Sequence, residues 1–304
     1  MDHSTDHTTD HTTDHTTTSA GTRPPRRPPA GGFALAAVDI DDTLLGPDGL
    51  ISAENAAAVR QLRERGVHVV LASGRSHANM RPFHDALGLG DGPIISAQGA
   101  LVRPAAGGAA WLEQVLDAAL VEWVTRQGIE RGFAVQHYRG DEIVVQGRTR
   151  WTEFDQALND TAQQVVEDLL GEPFTGVEKV IWLGEPADVA AAAAELAPVY
   201  EGRMTVTVTH SAYLEFYDPR TSKAAGLAVV AERLGVERAR VLAFGDGNND
   251  VPMLAWAGVG VAMDHARPEA RQAADLVAPV GDPESSLARA VRLVLDGAHA
   301  RRAG

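Results

Sequence analysis

The feature that most constrains this chain is a series of short, nearly continuous apolar runs, each followed by a segment of helical periodicity. FALAAVD, VHVVLAS and PIISA alternate with helical patterns over 52–65, closed by Gly66, and over about 76–87. Strands that lack polar alternation are buried on both faces, which requires a parallel sheet covered by helices on each side. The same rhythm returns late, with helix 222–234, strand RVLAFGD, helix 249–257, strands VGVAM and LVAPV, and a last helix over 284–295. The two ends of the chain therefore predict one doubly wound α/β core.

The middle has another pattern. FAVQHY and EIVVQG are separated by Arg-Gly-Asp in a hairpin-like arrangement, among helical runs at 117–131, 151–170 and 186–197. Further strands read as VEKVIWLG, MTVTVTH and YLEFYD. Hairpin-joined strands mixed with helices predict an α+β unit inserted into the α/β core, with edges near Arg103 and Ala212. The expected division is a tail at 1–32, a core at 33–102 and 213–298, and an insert at 103–212.

Residues 2–17 repeat Asp-His-Thr-Thr with one Ser variant and lead into GTRPPRRPPAGG. A stretch this poor in apolar residues has no core to bury and is expected to be disordered. Its histidines at four-residue spacing suit a metal only on a helix, and threonine gives that helix little support.

The chain has 304 residues, no cysteine and a formal net charge of −14. Disulfides and thiolate metal sites are excluded, and the surface repels nucleic acid and anionic membrane. With no membrane-length apolar stretch and no apolar leader, a cytoplasmic protein is expected, as a monomer or weak homodimer. Of the 27 lysines and arginines only Lys179 and Lys223 are lysine. A compact ammonium kept in so arginine-rich a chain points to a place where a planar guanidinium does not fit.

Four groups stand at the ends of predicted strands or the starts of helices, where open α/β sheets bind ligands. They are Asp39-Ile-Asp41-Asp42-Thr43, Ser73-Gly74-Arg75, Lys223, and Gly245-Asp246-Gly247-Asn248-Asn249-Asp250. Singly, each has an ordinary structural explanation as a cap, a turn or a surface charge. Together, in this order, they resemble the four motifs of the haloacid dehalogenase-like (HAD) superfamily: DxDx[TV], Ser/Thr, Lys and GDxxND. ASGR, SAYLEF with its Lys, GDGNNDVPML and AGVGVAMD look like the Cof type, and the resemblance runs from about Phe33 to about Leu295. That resemblance implies a Rossmann-like core, an α+β cap between the second and third motifs, and a Mg2+-dependent phosphatase.

By the same resemblance Asp39 is the nucleophile, forming an aspartyl-phosphate, and Asp41 is the general acid that later activates water. The second task needs a raised pKa, expected from burial or neighbouring acids. Spacing of two along extended chain sends both side chains to one side and Asp42 to the other. Ser73, the N–H of Gly74 and Asn249 belong to the phosphate-binding set. Lys223 stands between Asp39 and the phosphate. Mg2+ falls to the Asp39 carboxylate, the backbone carbonyl of Asp41 and Asp246, with Asp250 close by or acting through water. Lys179, in the cap, and Arg75 are candidates for substrate contact.

Two departures touch this region. Gln98-Gly99 stands where Cof-type proteins commonly have Asn-Gly, and His265-Ala266 follows AMD where Asn-Ala is frequent. The expected substrate is a small phosphorylated metabolite, foremost a sugar phosphate. A phosphosugar mutase on the same core is the near alternative, and a non-catalytic metal- or phosphate-binding protein the distant one. Dehalogenation is disfavoured, because it has no use for the acid at Asp41.

Overall fold

The structure, a computed structural model, describes residues 31–159 and 162–299, so nearly all of the tail read at 1–32 lies outside the described residues. The chain enters β1 (Leu35–Val38) and continues through α1 (Ala53–Glu64), β2 (His68–Ala72), α2 (His77–Ala86), β3 (Pro93–Ser96), β4 (Leu101–Pro104) and β5 (Leu112–Glu113). It then forms α3 (Ala118–Glu130), β6 (Ala134–Arg139), β7 (Glu142–Gln146), α4 (Arg150–Asn159), β8 (Gln164–Val166), β9 (Lys179–Leu183), α5 (Pro186–Tyr200), β10 (Thr205–His210) and β11 (Tyr213–Tyr217). It closes with α6 (Lys223–Arg233), β12 (Val241–Gly245), α7 (Val251–Trp256), β13 (Val259–Ala262), α8 (Pro268–Ala273), β14 (Leu276–Val277) and α9 (Ser286–His299).

Two sheets result. The larger has the order β14-β13-β12-β1-β2-β3-β4-β5, parallel except at its β3-β4-β5 end. Every residue of β1, β12 and β13 is buried, as a sheet covered on both faces demands. Helices α1 and α9 pack on each other, as do α6 and α7. The α/β core predicted from the sequence is present. Successive strands depart from β1 in opposite directions, so the crevice at its carboxyl end is a topological switch point.

The smaller sheet has the order β10-β11-β9-β6-β7-β8. One face packs against α3 and α5 through Trp182, which stacks on Phe133 at 5.0 Å and donates from Nε1 to the Val124 carbonyl at 3.1 Å. The opposite face carries Gln136, Tyr138, Lys179, Ile181, Tyr213 and Glu215, because directly paired residues of antiparallel strands share a face.

Three expectations need correction. The helix read at 151–170 stops at Asn159, since Gln164–Val166 pairs with β7 instead and its two valines suit a strand. The edges placed at Arg103 and Ala212 are displaced at both ends. Leu112–Glu113 extends the larger sheet, and Tyr213–Tyr217 lies inside the smaller one, because backbone pairing decides sheet membership and local composition does not. Short α8 went unread. Among the described residues no helix is long and apolar enough to cross a membrane.

Glu178, just before β9, is buried and accepts from the Gly140 N–H with both oxygens at 2.9 Å. Burial pushes its pKa up to about 7 from an ordinary 4.5, against the opposing pull of that N–H. A carboxyl whose folded pKa is raised contributes fully below its unfolded pKa, and the contribution is lost as pH rises through the folded value. Glu178→Gln is therefore expected to match the parent at pH 4 and to exceed it at pH 8 by roughly 1–3 kcal/mol. Urea unfolding at the two pH values measures this; an equal gap at both assigns the effect to packing.

Candidate active site

Parallel register brings the motif residues to one edge. Val38 of β1 pairs with Leu71 of β2 and with Phe244 of β12, so Asp39, Ser73 and Asp246 follow strand ends that lie side by side. The Asp39 N–H extends the ladder to the Phe244 carbonyl at 3.0 Å, and Ser73 N–H reaches Ile95 O at 2.9 Å. After Asp39 the backbone turns sharply, with Asp42 at φ 55° and its side chain exposed. Helix α6 begins at Lys223 and is capped by Ser222, whose hydroxyl accepts from Ala225 N–H. Gly99, at φ 97°, lets this helix approach: a Cβ there would lie 2.1 Å from the Ser222 carbonyl oxygen. A side chain at 99 would push Lys223 away from its partners.

Lys223 is buried and donates to Asp39 Oδ1 at 2.5 Å and to Asp250 Oδ1 at 2.6 Å. The other oxygen of Asp250 accepts from Asp246 N–H at 3.0 Å and Gly247 N–H at 2.9 Å, which pins the loop after β12. Thr43 donates to Asp246 Oδ1 at 3.2 Å. Burial, and then Asp250, hold the Asp39 pKa well above the carboxylate range, with Lys223 opposing them. Asp246 is pushed up to about 6, by burial first and then by Asp250 and Asp42. Burial disfavours the Lys223 ammonium, but Asp250 and Asp39 outweigh it and raise its pKa.

One oxygen each from Asp39, Asp246 and Asp250 lies within 4.8 Å of the others. Hard oxygen donors this close suit a divalent cation such as Mg2+, and burial first, then the neighbouring carboxylates, disfavours their charged forms against the opposing Lys223 ammonium. The donor set fits the ion.

The other sequence candidates fall into two groups. Ser73 is buried at the site, its Oγ accepting from Arg75 N–H at 3.2 Å, and Asn249 sits on the loop with Asp250. Asp41 departs from expectation: its side chain is 53% exposed, because the backbone turn carries it outward, and Arg75 binds it at 2.7 Å. The burial expected around Asp41 is absent here, and Arg75 faces this acid. Lys179 is not a free cation either. Its Nζ is buried between Glu215 Oε1 at 3.0 Å and the Gly74 carbonyl at 2.9 Å, over the Tyr138 ring. Glu215 went unread; its signal was an acid amid the apolar YLEFY. Gln98 links Glu215 and Asn249, and His265 sits 2.7 Å from the Asp42 carbonyl oxygen, so neither departure left an idle side chain.

The haloacid dehalogenase-like hydrolase family matches residues 36–291. This chain belongs to that family. It is a phosphoric monoester hydrolase of the HAD superfamily, Cof type. It is similar to the phosphoglycolate phosphatase of Methanopyrus kandleri, 31% identical over 245 residues, covering 80% of this chain and 90% of the relative. In fold it resembles a haloacid dehalogenase-like hydrolase from Bacteroides thetaiotaomicron, with TM-score 0.78 and 28% identity over 86% of this chain and 99% of that one. A HAD subclass IIB sugar phosphatase shares the fold at TM-score 0.73 and 19% identity, covering 86% of this chain and 98% of its own.

Proposed function

We propose that this HAD phosphatase hydrolyses a small sugar phosphate in a Mg2+-dependent reaction that passes through an aspartyl-phosphate on Asp39. The observation that carries this reading is the buried Lys223 ammonium, shared by Asp39 and Asp250 beside Asp246. An anionic nucleophile and an anionic ester repel each other, and a fixed ammonium between them lowers that cost without reorganisation. Asp39, Asp246 and the Asp41 carbonyl would hold Mg2+, which supplies further charge neutralisation at the transferring phosphoryl group; Asp250 orients their loop through Asp246 N–H and Gly247 N–H.

Asp39 Oδ attacks phosphorus as the ester oxygen leaves, and Asp41 donates a proton to that oxygen. The deprotonated Asp41 then takes a proton from water, which attacks the aspartyl-phosphate and frees Asp39. Ser73 Oγ and Gly74 N–H receive the phosphoryl oxygens. Asp41 accepts from Arg75 Nε at 3.1 Å and Nη2 at 2.7 Å, so it reaches a leaving oxygen only after this fork opens. Arg75 is thus assigned to positioning Asp41 and to meeting the incoming ester.

The substrate class rests on the face of the smaller sheet next to Arg75. Among the described residues its lysine is neutralised by Glu215, and Tyr213, Gln136 and Asn159 all donate to Asp155. Such a surface offers polar groups without a spare cation, which favours a neutral polyol over a second anionic group. A phosphate-release panel tests this, with hexose and pentose phosphates beside phosphoglycolate. Sugar phosphates are expected to lead by tenfold or more in kcat/KM; a lead for phosphoglycolate overturns the substrate class. Chelating divalent metal is expected to stop turnover and Mg2+ to restore it, whereas a metal-independent rate overturns the mechanism.

A further inference from the structure

The loop after β3 carries Gln98 in left-handed conformation, at φ 63°, and buries its amide between the two sheets. Its Nε2 donates to Glu215 Oε2 at 3.0 Å, and its Oε1 accepts from Asn249 Nδ2 at 3.1 Å. Glu215 belongs to β11 of the smaller sheet, whereas Asn249 precedes Asp250 in the larger sheet's catalytic loop. We propose that Gln98 is a positioning residue that relays the seating of the inserted unit to Asn249 and through it to the Asp250–Lys223–Asp39 cluster. The proposal rests on the phosphatase reading given above.

Hydrogen-bond polarity makes the relay directional. An ionised carboxylate only accepts, so Glu215 fixes the Gln98 amide with its NH2 outward and its oxygen toward Asn249. That oxygen in turn fixes Asn249, whose NH2 must point to Gln98. Asn249 Oδ1 is thereby left against the loop, where a Cβ on Gly247 would lie 2.5 Å from it. Glu215 is itself held by Lys179, which also grips the Gly74 carbonyl of the phosphate-binding loop. When the inserted unit lifts, Glu215 leaves with it and the Gln98 amide is free to turn over. Its NH2 then faces the NH2 of Asn249, two donors with no acceptor between them, and Asn249 loses its anchor. Seating the insert therefore assembles the catalytic loop. Asparagine, one methylene shorter, does not span the same two partners.

The proposal separates from a merely local role for Gln98 by reversing the polarity. In Gln98→Glu the side chain still accepts from Asn249 but sets an anion against Glu215. In Gln98→Glu/Glu215→Gln the new Gln donates to the new Glu, which accepts from both neighbours. With p-nitrophenyl phosphate and Mg2+, kcat of Gln98→Glu is expected to fall by about tenfold or more, with KM changed less. The swapped double variant is expected to recover to within about threefold of the parent. A Gln98→Glu enzyme within about twofold of the parent, or a swap no better than the single variant, overturns the relay.

Amide hydrogen exchange gives a readout that needs no turnover. Exchange over 205–217 and over 245–250 should rise together in Gln98→Glu and return together in the swap. A rise confined to the residues around 98 overturns the proposal. Should Gln98→Glu fail to fold by circular dichroism, Gln98→Asn carries the exchange test, with the same two segments expected to respond. Absence of phosphate release from the parent enzyme would instead count against the phosphatase reading, and the exchange result stands apart from it.

Discussion

Asp39→Asn is expected to lower phosphate release by at least ~10⁴-fold and to leave the melting temperature at pH 7 unchanged or higher. The two halves of that result have different causes. An amide oxygen does not displace an alkoxide from phosphorus, so the rate loss follows from the chemistry alone. The stability term follows from the surroundings. Burial and Asp250 raise the Asp39 pKa above its ordinary value, which means that folding works against its charged form. The contribution of such a group is present at low pH and is lost as pH rises through the folded pKa. Asn carries no charge and removes that pH-dependent penalty, while Lys223 keeps Asp250 as a partner. Steady-state kinetics and thermal melting at pH 5 and pH 8 check both halves. Residual turnover above about a hundredth of the parent rate ends the assignment of Asp39 as nucleophile.

The sequence disclosed the core because its strands are buried on both faces, and continuous apolar runs are a local signal. The same locality explains what it hid. YLEFY reads as a buried strand in either sheet, and only its antiparallel pairing with Lys179–Leu183 assigns it to the smaller one. The end of α4 was lost for a related reason, since Val165 and Val166 become strand residues through β7. At the site, the spacing of Asp39 and Asp41 predicts two acids on one side and carries no sign of the turn that exposes Asp41. Residue type singles out two lysines that are both buried, and one of them, Lys179, is a tie between Glu215 and the Gly74 carbonyl. Partners 36 and 105 positions away along the chain are invisible to any local pattern.

Lys223→Met should produce the opposite balance to Asp39→Asn: loss of turnover by about 10³-fold or more, together with a loss of roughly 3–5 kcal/mol in stability at pH 8. Methionine fills the slot with a side chain of similar length and no charge. It leaves Asp39 and Asp250 buried with no cation between them, and leaving a buried charge unpaired costs more than the pair contributes. The raised Asp39 pKa is then pushed further up, because its opposing neighbour is gone. Acidification should therefore rescue the fold, and the stability gap between variant and parent should narrow as pH falls from 8 to 5. Divalent metal should narrow it too, by placing positive charge on the same carboxylates. Lys223→Arg separates charge from shape. Its guanidinium keeps the positive charge but not the compact head that meets two carboxylates within 2.6 Å, so stability should return in part and turnover should not. Equal loss of stability at both pH values would make Lys223 a packing residue. Full activity in the arginine variant would show that charge alone suffices.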